Sequence, residues 1–440
     1  MQEDATAQTS ALVRFTASNV RSYRDTVTLS LQATRLANAE VVRELPTASA
    51  APERLLPVAG VFGGNASGKS NILRAMADMR ATVLYSFVNR ARGASSFRRP
   101  FLLDAQAPER PSEFLVELVL NGVWWQYGFE VDDRRVLREF AYHYPRGRQA
   151  LVFERDADEV SFGGAFRSAG GSLRPLVREN TLLLSIYGAV DDGQIGPLFN
   201  WWLPNFRMAA SYNRPGRAAY TAGLAKEDAT RRRILDLLRA ADLGLTDMQV
   251  VRPDAETLDR LRRAAKILQG DEEEGDEFVI EDLVQLIHRS ADGEVMFEAG
   301  DESMGTQVWV GLAGPVLDAL DTGCTLLVDE LDASLHPLLV AKLIDLFQSP
   351  TTNPRCAQLI FNAHDVNVLD NRHLYRLGRD QLWFTERGHD GATRFYSLAD
   401  FRARRDESIG RRYLSGRYGA VPDLNPVDFD LAVLGREAEA

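Results

Sequence analysis

Gly63-Gly64-Asn65-Ala66-Ser67-Gly68-Lys69-Ser70 matches the pattern G-x-x-x-x-G-K-[ST] at every fixed position. Small residues in such a loop let successive backbone N–H groups curl round an anion, and the helix that follows offers its positive N-terminal end. Lys69 is then placed to neutralise the β- and γ-phosphates of a nucleotide, and Ser70 to hold Mg²⁺ through its hydroxyl. Gly63, Asn65, Ala66, Ser67, Gly68, Lys69, Ser70 and Asn71 are accordingly the candidate nucleotide-binding residues. The flanks agree: residues 56–62 read as an apolar strand and 71–79 as a helix, the order the loop requires. Lysine is otherwise rare, occurring only at Lys226, Lys266 and Lys342 in an arginine-rich chain, so its retention at 69 suits a site that needs a compact ammonium.

With 440 residues, 45% of them hydrophobic, the chain can bury one large core or build two or three domains. No apolar run approaches the ~20 residues that span a bilayer, and residues 1–10 lack the basic-then-apolar layout of a signal peptide. The expectation is a cytoplasmic protein with no membrane partner. Cys324 and Cys356 are too few for a disulfide scaffold or a zinc site and read as core residues. A net charge of −11 argues against a globally basic nucleic-acid binder but leaves local basic groups. Three stand out: Arg90, Arg92, Arg98 and Arg99; Arg231, Arg232 and Arg233; and Arg402, Arg404, Arg405, Arg411 and Arg412. Each reads either as solvated surface or as a docking face.

Outward from the loop, residues 12–20 and 27–31 read as two short strands before it. After it, residues 114–120, 124–131 and 139–143 read as strands of an antiparallel sheet, the first two joined by the hairpin signal Asn121-Gly122. Residues 228–243 and 255–268 carry apolar side chains at helical spacing, and the acidic run 271–277 reads as an exposed loop rather than a metal site. Residues 279–286 and 295–298 return to a strand pattern. Residues 325–328 form a short apolar strand that delivers Asp329 and Glu330 at its C-terminal end, where open α/β sheets bind their ligands. Pro337 suits the first turn of a helix over 338–347, and 358–361 is a further strand ending at Asn362-Ala363-His364-Asp365.

The acidic pair is chemically apt. Asp329 can hold Mg²⁺ through its water shell, while Glu330 polarises the water that attacks a γ-phosphate. With the phosphate loop, Ser303-Met304-Gly305, Asp329-Glu330 and His364 in that chain order, the sequence resembles the ATP-binding-cassette type of P-loop ATPase. The resemblance implies that Asp332 lies in the loop after the acidic pair, that His364 is the switch histidine, and that Ser303 and Gly305 read the γ-phosphate bound by a second protomer. Leu331-Asp332-Ala333-Ser334-Leu335-His336-Pro337 further resembles the overcoming-lysogenization-defect class of abortive-infection ATPases. Residues 15–31 and Tyr413-Leu414-Ser415-Gly416-Arg417-Tyr418-Gly419-Ala420-Val421-Pro422 are similar to the single-chain members called RloA or AbiL-like. His336 fits either a helix N-cap or a contact across a dimer, and Gln106 is the best-placed candidate for the class's Q-loop glutamine.

The expected fold is α/β: an ATPase head with a mixed sheet, antiparallel strands at its N-terminal side, a parallel core, and a helical insert. Residues 1–150 would supply the first half of the head, 151–290 the insert, 291–400 the second half with signature, acidic pair and switch histidine, and 401–440 a C-terminal extension. ATP and Mg²⁺ are the implied cofactors. The implied partners are a second head, in a dimer or higher oligomer, and an effector encoded separately, with a TOPRIM-like nuclease as the model and nucleic acid as a further candidate. The competing reading is a DNA-clamping repair or chromosome-maintenance ATPase of the RecF or SMC kind, which shares the head motifs.

Overall fold

Val58, Ala59, Gly60, Val61, Phe62 and Gly63 are all buried, as expected of a strand covered on both faces. In the computed structural model, which describes residues 10–48, 51–90, 98–167, 176–190, 193–260, 263, 282–370, 377–402, 408–422 and 425–434, this strand is β5 (Val58–Gly63). Alternation divides its side chains between two cores. Ala59 and Val61 join a core that contains Ile72, Leu73 and Met76 of the helix Lys69–Arg90. Val58 and Phe62 join a second core, built with the helices Met304–Thr322 and Pro337–Gln348. Gly60 is needed between them, because a Cβ there would meet the Phe361 ring at 2.8 Å.

The first core is closed on its far side by the sheet of β1 (Ala11–Ser18), β2 (Val27–Ser30), β6 (Ser112–Leu120), β7 (Val123–Val131), β8 (Val136–Tyr144), β9 (Ala150–Asp156) and β10 (Glu159–Phe162). Its order is β10-β9-β8-β7-β6-β1-β2, antiparallel throughout. Asn121 and Gly122 turn β6 into β7 with φ of 53° and 73°, the left-handed pair that a two-residue hairpin demands. β3 (Arg43–Leu45) and β4 (Glu53–Leu55) form a small separate hairpin.

The phosphate-loop strand lies within the second large sheet, formed with β11 (Arg207–Ala209), β15 (Thr325–Val328), β16 (Gln358–Asn362), β17 (Leu382–Arg387) and β18 (Thr393–Ser397). The order is β11-β15-β16-β5-β17-β18, parallel except for the β17–β18 hairpin. A third sheet, β12 (Leu245–Val251), β13 (Leu283–Ser290) and β14 (Gly293–Glu298), is antiparallel. The α/β class, with antiparallel N-terminal strands and a parallel core, is therefore the observed one.

The stretch 151–290 departs from a helical insert. It contains the helices Leu183–Val190, Gly196–Trp202, Arg214–Leu224 and Asp228–Arg239, but also most of β9 and the whole of β10 to β13. β9 and β10 extend the antiparallel sheet, and β11 enters the core sheet beside β15. Glu139 of β8 holds the first of these helices in place, accepting from the backbone N–H groups of Leu183 (2.6 Å) and Leu184 (3.0 Å). Residues 255–260 are helical as expected, while half of 255–268 and the whole acidic run 271–277 lie outside the described residues. Cys324 and Cys356 are free and buried, as core residues. Among the described residues, no helix is long and apolar enough to cross a membrane.

Candidate functional site

β5, β16 and β15 lie side by side and parallel, so their C-terminal ends open on one edge of the sheet. The phosphate loop leaves β5 there, with Ala66 at φ 58° and Gly68 at φ 105°. Its walls are tight. A Cβ at Gly63 would stand 2.4 Å from the Thr385 carbonyl, and one at Gly68 2.4 Å from Thr393 Oγ1. Thr393 Oγ1 donates to the Ser67 carbonyl (2.9 Å), the Tyr23 hydroxyl donates to the Gly68 carbonyl (3.0 Å), and Ser67 Oγ lies 2.6 Å from Thr385 Oγ1. Asn71 Nδ2 donates to Ser22 Oγ (2.9 Å), which ties the loop's helix to the segment after β1. Asn65 and Ala66 are exposed at the tip.

Lys69 is buried, and its Nζ donates to the carbonyls of Gly63 and Gly64 at 2.9 Å each, bridging the mouth of its own loop. Burial pushes the ammonium below its ordinary value, while the nearby carboxylates of Asp332, Glu330 and Asp329 act in the opposite direction. Asp329, Glu330 and Asp332 are therefore within electrostatic reach of the loop.

Asn362, at the end of β16, joins the parts. Its Nδ2 donates to Asp329 Oδ1 (2.5 Å) and Ser70 Oγ (3.2 Å), and its Oδ1 accepts from the backbone N–H of Glu330 (2.6 Å). One fully buried amide thus gathers the two oxygen ligands expected to face Mg²⁺ and fixes the residue expected to act as base. Glu330 sits at φ 56°, a left-handed conformation that is costly for a non-glycine residue and that this hydrogen bond helps to hold. Sequence reading placed Asn362 at a strand end but gave it no role. Ser70 and Asp329 supply hard oxygen donors from two chain-distant elements, a set suited to Mg²⁺, which keeps several waters and takes few protein ligands. Among the described residues, no group of three or more His, Cys, Asp or Glu is arranged to hold a metal ion.

Asp332 Oδ2 accepts from the backbone N–H groups of His364 (2.8 Å) and Asp365 (2.6 Å), so it shapes the turn that presents His364. The His364 side chain is exposed. The signature residues are not part of this cluster. Ser303 caps the helix Met304–Thr322, its Oγ accepting from Thr306 N (3.2 Å), and is exposed. Gly305 packs so closely on the loop after the acidic pair that a Cβ would stand 2.9 Å from the Ser334 carbonyl. His336 is a helix cap: its Nδ1 accepts from Leu338 N at 3.2 Å. Gln106 is exposed, with its backbone N–H given to Asp104.

Two cavities adjoin the site. One, of about 540 Å³, lies beside Ala66 and Asn71 and is lined by Arg21, Arg99, Leu102 and Arg387, of which Arg99 belongs to the first basic group and none to the phosphate-site motifs. The other, of about 250 Å³, meets Glu330 and Ser334. The C-terminal segment also reaches the loop, where a Cβ at Gly64 would lie 3.4 Å from Pro422 N. Tyr413 and Tyr418 stack on Phe384 of β17, with centroids at 5.5 and 5.9 Å.

Of the basic groups, the first two are partly tied down, whereas Arg402 and Arg411 of the third are exposed. Arg98 is buried and donates to Ser112 Oγ and Asp133, so it is a structural arginine. Arg231 pairs with Asp247 and Arg233 with Asp321. Arg92, Arg404 and Arg405 lie outside the described residues.

No curated protein matches the chain in sequence. Among solved structures, the SMC head bound to the C-winged helix domain of ScpA is 14% identical, with a TM-score of 0.39 over 88% of this chain and 97% of that one. The SMC head domain from Thermotoga maritima is 11% identical, with a TM-score of 0.36 over 88% and 98%. The recombination mediator RecF with ATP is 12% identical, with a TM-score of 0.35 over 90% and 100%. A family model described as "AAA domain, putative AbiEii toxin, Type IV TA system" matches residues 58–370, from the strand that enters the phosphate loop to just past His364, and the chain belongs to that family.

Proposed function

We propose that this chain is an Mg²⁺-dependent ATPase that works as a pair of heads, the sensor or motor subunit of an abortive-infection system whose effector is a separate polypeptide. The observation that carries the ATPase reading is the Asn362 amide, which holds Ser70, Asp329 and Glu330 together beside Lys69. In this reading ATP lays its phosphates on the loop N–H groups. Lys69 exchanges its two carbonyl partners for the β- and γ-phosphates, and the 540 Å³ cavity takes the nucleoside. Ser70 and Asp329 hold Mg²⁺, which offsets the charge on the phosphates. Glu330 takes the proton of the attacking water as its oxygen bonds to the γ-phosphorus and ADP leaves. Asp332 holds the turn that aims His364 at the γ-phosphate. The exposed Ser303 and the Gly305 turn complete the site of a second copy. The abortive-infection role rests on the toxin description of the family and on the sequence resemblance.

Glu330→Gln tests the assignment. It should keep ATP affinity, lower turnover by about 10²- to 10⁴-fold as loss of a general base does, and accumulate a nucleotide-bound dimer in sedimentation. Turnover at the wild-type rate would sink the assignment.

A further inference from the structure

Arg217 poses a problem that the ATPase chemistry leaves open. It lies in the helix Arg214–Leu224, is only 2% exposed, and its Nε is buried with no hydrogen-bond partner among the described residues. A buried guanidinium is ordinarily paired, because removing it from water without an anion costs several kcal/mol, on the order of the penalty for any unpaired buried ion. Here burial, followed by the neighbouring cation Arg214, pushes Arg217 down to about 10, and the Asp329 carboxylate offsets this only in part. Both arginines line the 250 Å³ cavity, together with Ser211, Tyr212, Ser334 and a single carboxylate, Glu330.

The sheet order shows where this cavity stands. The helix follows β11, which pairs with β15 on the side away from β16 and β5. The cavity therefore reaches Glu330 from the β11 side, whereas the phosphate loop lies on the β5 side. At about 250 Å³ it is smaller than the ~300–1,000 Å³ usual for drug-sized ligands, yet it has room for a small tetrahedral anion with a few waters at ~30 Å³ each. Two guanidinium groups and three hydroxyls are the donors such an anion takes.

We propose that this cavity is a second anion site, one that binds orthophosphate after it has left the nucleotide. The proposal rests on the ATPase reading for the source of the phosphate, while the site itself rests on the geometry of the lining: the buried Arg217 guanidinium with its orphaned Nε, Arg214 beside it, and the hydroxyls of Ser211, Tyr212 and Ser334.

The test uses the full chain with Lys69→Ala, which disables the phosphate loop, and measures binding of inorganic phosphate by calorimetry. Phosphate should still bind. Adding Arg217→Met should weaken it at least tenfold, Arg217→Lys should restore part of the loss, and Arg214→Gln should weaken it severalfold. Should Arg217→Met fail to fold, Ser334→Asp carries the test, since it adds a negative charge at an exposed left-handed position that Asp tolerates and should weaken phosphate as strongly. Absence of phosphate binding to Lys69→Ala, or binding unchanged by the Arg217 variants, would overturn the site. So would loss of ATP-dependent dimers in Arg217→Met with phosphate affinity intact, which would give the guanidinium to the partner's nucleotide instead. None of the binding measurements uses hydrolysis, so failure of the ATPase reading and failure of this site give different results.

Discussion

Asn362→Ala is the most informative single change, because one side chain makes three contacts that have different consequences. The amide donates to the Asp329 carboxylate at 2.5 Å and accepts from Glu330 N at 2.6 Å, and both Asn362 and Asp329 are buried. Losing a hydrogen bond to a charged group costs about 1.5–3 kcal/mol, and leaving a buried N–H without an acceptor costs about 1–3 kcal/mol. The variant should therefore be at most about 2.5–6 kcal/mol less stable, an upper range because Glu330 is only half-buried and water can enter the space. Catalysis should suffer by a separate route. Without the amide, Asp329 and Ser70 lose their common tether and Glu330 is freed to leave its left-handed conformation. If ~3 kcal/mol of this is felt in the transition state, kcat/KM falls by about 10² at 1.36 kcal/mol per decade. The Mg²⁺ concentration for half-maximal turnover should also rise. Asn362→Asp is the control: it keeps an acceptor for Glu330 N but sets a second carboxylate against Asp329. Its activity should therefore recover as pH falls and one proton is shared between them. Steady-state turnover against Mg²⁺ and pH, alongside thermal unfolding, measures all of this. Turnover of Asn362→Ala within about threefold of wild type, which is under 1 kcal/mol, with an unchanged Mg²⁺ requirement would refute the reasoning.

Shared sites are tested by mixing Lys69→Ala with Ser303→Glu protomers, because one of the two sites in each heterodimer then carries neither lesion. ATP turnover should reappear on mixing, and its absence in confirmed heterodimers would count against sharing; Ser303 is preferred to Gly305, whose substitution would strain contact with the Ser334 carbonyl. Lys69 carries a pH signature of known sign: its pKa is lowered in the fold, so between that value and the ordinary 10.5 the unfolded chain holds a proton the native chain lacks. Stability without nucleotide should accordingly rise with pH across that alkaline window, whereas ATP binding should weaken and take up a proton; Lys69→Met should flatten both profiles in unfolding and calorimetric titrations. Finally, the purified chain should hydrolyse ATP without cutting nucleic acid, and cells should be affected only when its effector is co-expressed. Reversing Arg402, Arg404 and Arg405 to Glu should uncouple the effector and leave basal ATPase activity intact, and unchanged coupling would move docking elsewhere.

What the sequence made legible was what short-range patterns encode. The strand over 325–328 falls where its apolar run placed it, and the helix after the phosphate loop begins at Lys69 because the loop motif fixes its first turn. The helix then continues to Arg90, past 79, since its inward residues Ile72, Leu73, Met76 and Met79 are followed by Val83 and Leu84 on the same core. β11 escaped notice because three residues are too few to show a period, and only its pairing with β15 makes Arg207–Ala209 a strand. That omission had a chemical cost. With β11 unseen, nothing in the sequence set the following helix beside Glu330, so Arg214 and Arg217 had no reason to be named. Asn362 was hidden differently: it stood in plain view at a strand end, but an asparagine is informative only through what it bridges, and its partners Ser70 and Asp329 lie far away in the chain. Arg98 shows the same limit from the opposite side. A cluster of arginines reads as one surface, yet packing against Ser112 and Asp133 buries one member completely at its side chain. Motifs therefore located the atoms proposed to meet the nucleotide, while the residues that hold those atoms in register, and the cations behind them, became visible only when the sheet order was known.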